Sequence, residues 1–269
     1  MLRVLLTGDY AGEEFTAAVA EMKLVCELIE RPCLKSAATW LAESEKPVDL
    51  IVVAQSRPGQ FGAAAIDALR RAAPLAPLVA LLGSWCEGEM RSGSPWPGVA
   101  RVYWHQWPGR FQREMARLAR GELSAWNQPL TATADERLLS SLTGTGAPLS
   151  GVLAVVSDFS EMRDWLADTC RRAGNSPVVF RRPPGEPLER FDLVLWDAGL
   201  PPSDLVADYS QLAACFAGTP IVALLDFLRS HDVRQLTTSG AAAVLGKPVL
   251  AEDLMGAIGR ALGAKEPSS

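Results

Sequence analysis

The stretch FDLVLWDAGLPP, residues 191–202, is largely apolar up to one carboxylate, Asp197, and then turns through a glycine and two prolines. An apolar run of strand length with turn residues behind it reads as a buried strand, which puts Asp197 at its carboxyl tip. A carboxylate in that position can act as a nucleophile, ligate a hard cation, or cap the turn that follows. Two other strand-like runs end on groups of matching chemistry. VVSDFSEMR carries Asp158 and AVLGKP carries Lys247, 39 residues before and 50 residues after Asp197. Strand ends of a parallel sheet share one edge, so side chains this far apart in sequence can still converge. A second nucleophilic combination, Cys86 with His105, is 19 residues apart and has no third orienting group in view. It makes a poor catalytic dyad.

The elements that must position these groups recur along the chain. Strand-length apolar runs are LRVLL, VDLIVVA, PLVALL and VARVYW, then GVLAVV, PVVF, FDLVLW, PIVALL and AAAVL. They show little alternation, as strands covered on both faces should. Helical stretches lie between them: GQFGAAAIDALRRAA, PGRFQREMARLARG, SEMRDWLADTCRRAG, SDLVADYSQLAACFAG and LAEDLMGAIGRALG. Such alternation predicts right-handed crossovers and doubly wound parallel sheets. The halves also match each other: VDLIVVAQSRPG sits against FDLVLWDAGLPP, and PLVALLGSW against PIVALLDFL. An internal repeat of this kind predicts two similar α/β domains, residues 1–123 and 150–269. Between them, 124–149 is rich in Ser, Thr, Gly and Pro and reads as a linker, with a short helix expected around Ala134–Leu142.

Composition narrows the function classes. With 48% apolar and 21% charged residues the chain can build real cores. A net charge of −5 and no basic face argue against nucleic acid as a partner. Five cysteines and two histidines give no zinc spacing, and the thiols read as buried ones in a cytoplasmic protein. No signal peptide opens the chain and no apolar run approaches membrane-spanning length.

The second half, on VVSDFSEMR, FDLVLWDAGLPP and AVLGKP, resembles a response-regulator receiver domain of the chemotaxis-regulator type. The resemblance implies a flavodoxin-like five-stranded sheet of order 2-1-3-4-5, with its crevice at the carboxyl ends of the strands. It implies Asp197 as phospho-acceptor and Lys247 as the contact to the phosphoryl group. It also implies Mg²⁺, in the second domain only, held by Asp158, Asp197 and the backbone carbonyl of Gly199. A carboxylate attacking a phosphodonor is an anion approaching an anion, and a cation and a fixed ammonium would neutralise that repulsion.

Several positions depart from the family pattern. The first of its two adjacent acids is Ser157, and its switching hydroxyl is Leu225, followed by Asp226. In the first half the acceptor position is Ala54, the hydroxyl position Leu82, and the lysine position falls at or beside His105. Asp9 matches the second acid and Gly8 stands in place of the first. That half resembles a pseudo-receiver that cannot be phosphorylated, with Asp9 capping a turn. Residues 83–107, GSWCEGEMRSGSPWPGVARVYWHQW, hold Trp85, Trp96, Trp104 and Trp107 where a receiver has a helix. Gly, Ser and Pro disfavour one there, so a Trp-rich loop is expected. Its rings serve either as an interaction surface or as a cover for the sheet. In the second half only RRPPGEPLER separates PVVF from FDLVLW, which predicts an irregular crossover and a thinly covered sheet face. Arg181 and Arg182 beside it offer an anion contact or a solvated charge pair.

The expectation is a tandem receiver-like signalling protein without an output domain, since the chain ends just after the last helix. It is not expected to be an enzyme, and it would act through a protein partner such as a sensor kinase or another signalling protein. Two alternatives stay open: a small-ligand binder or enzyme on a flavodoxin-like scaffold, and a purely structural module. The absence of a Gly-rich phosphate loop counts against the former.

Overall fold

The structure is a computed structural model that describes residues 1–89, 93–122, 124–127, 150–188, 190–200 and 204–263. The chain divides into two units, Met1–Thr143 and Gly144–Ser269. In the first unit the strands are β1 (Arg3–Gly8), β2 (Glu27–Arg31), β3 (Leu50–Gln55), β4 (Leu78–Leu82) and β5 (Ala100–Tyr103). All pair in parallel, in the order β2-β1-β3-β4-β5. β3 and β4 are buried along their whole length, as VDLIVVA and PLVALL anticipate. β2, with sequence ELIER, lies at the sheet edge, where its charged side chains stay in water.

The helices of this unit are α1 (Thr16–Val25), α2 (Leu34–Glu43), α3 (Ala63–Ala72) and α4 (Trp107–Ala119). α2 and α3 cover one face of the sheet around Leu5, Ile51, Val53, Ile66, Leu69 and Ala80. Pro108 opens α4, in a first turn where its missing N–H costs nothing. Past α4 the chain turns back onto it. The buried Glu114 carboxylate accepts from Ser124 Oγ at 2.6 Å and from the Ala125 N–H at 2.8 Å. Trp126 stacks 5.7 Å from Trp107. The stretch from Ser124 to Trp126 therefore packs with the first unit. The helix expected around Ala134–Leu142 lies outside the described residues.

The second unit repeats the plan with β6 (Val152–Val156), β7 (Ser176–Phe180), β8 (Leu193–Gly199), β9 (Ile221–Asp226) and β10 (Ala243–Lys247). The order β7-β6-β8-β9-β10 is the same 2-1-3-4-5 arrangement. Its helices are α5 (Ser160–Arg172), α6 (Leu205–Cys215), α7 (Ser230–Thr238) and α8 (Ala251–Gly263). Both units are thus flavodoxin-like, doubly wound α/β domains with five parallel strands.

As the prolines predict, no helix forms among the described residues between β7 and β8. An edge-to-face trio of Phe180, Phe191 and Phe216, with centroids 5.6–5.9 Å apart, fills the space beneath the connection. Val178 and Val179 remain about half exposed on β7.

Candidate functional site

Asp197 lies on β8, the central strand, one position before a register shift against β9. The shift follows from Gly199, whose φ of +66° is a left-handed conformation that glycine adopts without steric cost. It turns the Gly199 N–H back onto Asp197 Oδ1 at 3.2 Å. Lys247 ends the edge strand β10 and pairs in register with Asp226 at the end of β9. Its ammonium spans that strand, donating to Asp226 Oδ1 at 2.9 Å and to Asp197 Oδ1 at 2.6 Å. From the other side, Ser157 Oγ donates to Asp197 Oδ2 at 2.6 Å while accepting from the Phe159 N–H. The Asp197 side chain is wholly buried. Burial alone would push the Lys247 ammonium down, but hydrogen bonds to Asp197 and Asp226, and their charges, hold it above its ordinary value.

The sequence-predicted pair Asp197 and Lys247 is therefore brought together, and Asp158 is not part of it. Its carboxylate is 63% exposed and lies 3.8 Å from Arg181 Nε and 3.6 Å from Arg182 Nε. Both oxygens of Asp197 are engaged by Lys247, the Gly199 N–H and Ser157. Among the described residues no three or more His, Cys, Asp or Glu side chains gather as metal ligands. Asp158 faces Arg181 and Arg182 while Asp197 faces Lys247, so the two carboxylates named as Mg²⁺ ligands are each paired with a cationic side chain. Leu225 is fully buried, so no hydroxyl faces the pocket from that position.

Two members of the cluster go beyond the predicted set. Asp226 is the second carboxylate on Lys247, and Ser157 is a direct partner of Asp197. The signal for Asp226 is present in the sequence, since PIVALLD and AVLGK are adjacent strands that both end on a charge. Only the strand register reveals that the two charges meet.

In the first unit the equivalent edge holds hydrogen bonds in place of ions. Asp9 Oδ2 accepts from Ser56 Oγ at 2.5 Å and from Gln60 Nε2 at 3.1 Å, and its backbone N–H donates to the Ala54 carbonyl. The Ser56 and Gln60 bonds hold the Asp9 carboxyl below its usual range. Asp9 thus ties two loops together through side chains distant in sequence, which differs from the turn-capping role expected of it.

The Trp-rich segment divides. Trp96, Trp104 and Trp107 are buried, and Trp96 Nε1 donates to the Phe61 carbonyl at 3.0 Å. Trp85 is 73% exposed. Of the two readings open for these rings, burial fits Trp96, Trp104 and Trp107, while Trp85 stands in solvent. Trp96 packs into the core among sheet residues and those of α2 and α3, and Trp107 stacks on Phe111 and Trp126.

Cys86 is fully buried, with its thiol against Gln55. Burial, and then the charge of Glu89, push it up to about 11. His105 lies 3.9 Å from Glu87 and edge-on to Trp104. The exposed Cys33 accepts from the Ser36 N–H at the start of α2, and its contacts with Ser36 lower its thiol. At about pH 8, iodoacetamide is expected to label Cys33 and leave Cys86 untouched in the native protein, as read by peptide mass spectrometry. Native labelling of Cys86 would overturn its assignment as an inert core thiol.

With this geometry in view, the chain can be set beside known proteins. No protein-family model matches it, and no curated protein matches its sequence. Solved structures do. A CheY-like receiver-domain protein of Methanospirillum hungatei is 20% identical, with 43% of this chain and 96% of that one covered and a TM-score of 0.38. A receiver-domain protein of Clostridium thermocellum is 18% identical over 42% of this chain and 95% of its own, at a TM-score of 0.36. The Vibrio cholerae chemotaxis protein CheY4 is 19% identical over 42% and 100%, at a TM-score of 0.36. Each matches a length close to one of the two units, and at these identities the likeness is one of fold. Strand order describes two flavodoxin-like domains in tandem, and in the second of them Asp197 and Lys247 stand together at the carboxyl edge. No helix among the described residues is long and apolar enough to cross a membrane.

Proposed function

We propose that the protein is a receiver-like signalling module that works by protein–protein contact, with Asp197 acting as a buried member of an ion cluster. The observation that carries this reading is the closed cluster itself. Lys247 bridges Asp197 and Asp226, and Ser157 fills the remaining oxygen of Asp197. An incoming phosphoryl group would have to displace Asp226 from the ammonium. It would also have to bring its cation to a carboxylate whose partner acid, Asp158, is occupied by two guanidiniums. The first unit has Ala54 at the matching strand position and no nucleophile there. No Gly-rich phosphate loop stands in the sequence, and no cluster of three or more metal-ligating side chains among the described residues, to support an enzyme reading.

Beryllofluoride, which mimics a phosphoryl group on a carboxylate, tests this directly. Wild-type protein titrated with it in the presence of Mg²⁺ is expected to show no saturable change in its tryptophan fluorescence, to which Trp196, the residue next to Asp197, contributes. A saturable, Mg²⁺-dependent change that Asp197→Ala abolishes would establish Asp197 as a phospho-acceptor and overturn the reading.

A further inference from the structure

Above the closed cluster, three large apolar side chains stand in water. Phe159 is 59% exposed, Leu200 66% and Phe227 65%. They follow β6, β8 and β9, which are consecutive neighbours in the sheet, so their loops adjoin at its carboxyl edge. The Phe159 ring already lies at contact distance from the Gly199 backbone: a Cβ built on Gly199 would sit 3.5 Å from Phe159 Cε2. This edge, beside the point where strand order reverses, is where open α/β sheets bind their ligands.

Phe227 adds an independent observation. It is the one described non-glycine residue with a positive φ, at +49°. A bulky aromatic is disfavoured in that region, and Gly or Asn would occupy it at lower cost. Residues kept in such conformations against local preference concentrate at sites of function. Here the conformation holds an aromatic ring out in solvent while the next residue, Leu228, is buried.

The polar rim identifies the partner. Arg181 and Arg182 are both exposed and share one carboxylate, Asp158. Ten N–H donors thus face a single acid. Arg229 is exposed two residues beyond Phe227. Three acids on the neighbouring loops each have one oxygen already engaged. Asp226 is on Lys247, Asp204 caps α6 through the Ala207 N–H, and Glu161 accepts from Ser160 at the start of α5. The two guanidiniums that share Asp158 therefore keep donors to offer.

The geometry points to a docking site, formed by Phe159, Leu200 and Phe227 and rimmed by Arg181, Arg182 and Arg229, for an acidic protein segment that carries large apolar side chains. The apolar triad supplies affinity, and the guanidiniums, which pair with carboxylates in two-pronged fashion, supply selection. The proposal rests on the contact reading above and names its surface and the chemistry of its partner.

The test uses the full chain immobilised against a displayed library of random 16-residue peptides. Parallel selections use Phe227→Asn and the Arg181→Glu/Arg182→Glu pair. Asn tolerates a left-handed backbone, so Phe227→Asn is expected to keep or raise the unfolding midpoint, which checks its fold. Selected peptides should be rich in Asp or Glu beside Leu, Phe or Trp. Their affinity, measured by fluorescence anisotropy, should fall about tenfold or more on either variant. Basic or charge-neutral consensus peptides, peptides that bind the variants equally well, or no enrichment would each overturn the proposal. So would wild-type co-sedimentation with phosphatidylserine vesicles, or self-association lost in Phe227→Asn, because each assigns the surface to another occupant. The beryllofluoride titration reads Asp197 alone, so failure of the signalling reading and failure of this docking site are separately visible.

Discussion

Lys247→Met destabilises the second unit by about 3–5 kcal/mol, as expected when one partner of a buried charge pair is removed. The size follows from where each carboxylate is left. Asp197 loses its one cation while its side chain stays wholly buried, keeping only Ser157 Oγ and the Gly199 N–H. Asp226 is 34% exposed at its side chain and rehydrates. Asp226→Asn is accordingly milder, about 1 kcal/mol or less, because water screens that half of the bridge. Adding Asp197→Ala to Lys247→Met removes the orphaned carboxylate, so the double variant costs less than the sum of the singles. Urea unfolding of the four proteins measures the cycle, and strict additivity would mean that the cluster is not a coupled unit.

The same group gives the second unit an alkaline limit. The Lys247 ammonium is held above its ordinary 10.5 in the folded state. Its contribution is therefore complete below that value and is lost as pH rises through the raised one. Tyr209 and Cys170, which burial raises, lose stability over the alkaline range as well. They do so equally in wild type and Lys247→Met, so the two stability curves should converge as pH climbs past about 10.5.

What the sequence made legible here follows from how each element is buried. Strands covered on both faces, such as LIVVA in β3 and IVALL in β9, are continuous apolar runs and are plain to read. β2 was not, because an edge strand keeps charge on its exposed side and ELIER resembles a loop. α1, α2 and α7 were also passed over. α1, for example, buries only Ala18 and Met22, so it carries a faint apolar stripe. For the site, Asp197 and Lys247 could be picked out because a charge closing an apolar strand stands out. Asp158 was placed with them by position in a motif, yet a side chain in an exposed turn goes to its nearest opposite charges, Arg181 and Arg182. The role of Asp226 depends on strand register, which one sequence does not display. For the tryptophans the sequence leaves two readings open, because residue type alone does not separate a ring that binds a partner from a ring that packs in a core.

That last distinction is measurable. Trp107→Ala is expected to cost the first unit about 3–5 kcal/mol, the range for deleting a fully buried large aromatic. The ring stacks 5.0 Å from Phe111 and 5.7 Å from Trp126, so its loss opens a cavity and also undocks the turn that Glu114 holds. Trp85→Ala, on an exposed ring in the same segment, should stay within about 0.5 kcal/mol of wild type. Trp107→Phe refines the argument. The Trp107 Nε1–H is buried with no hydrogen-bond partner, so the tryptophan already bears the penalty of an unmatched donor. Phenylalanine removes that donor and keeps most of the stacking area, so the change should cost less than about 1.5 kcal/mol. Calorimetric unfolding of the three variants decides the matter. A large loss for Trp85→Ala, or none for Trp107→Ala, would return the segment to the role of an exposed surface. The predicted ordering instead assigns Trp107 to the core of the first unit and leaves Trp85 in solvent.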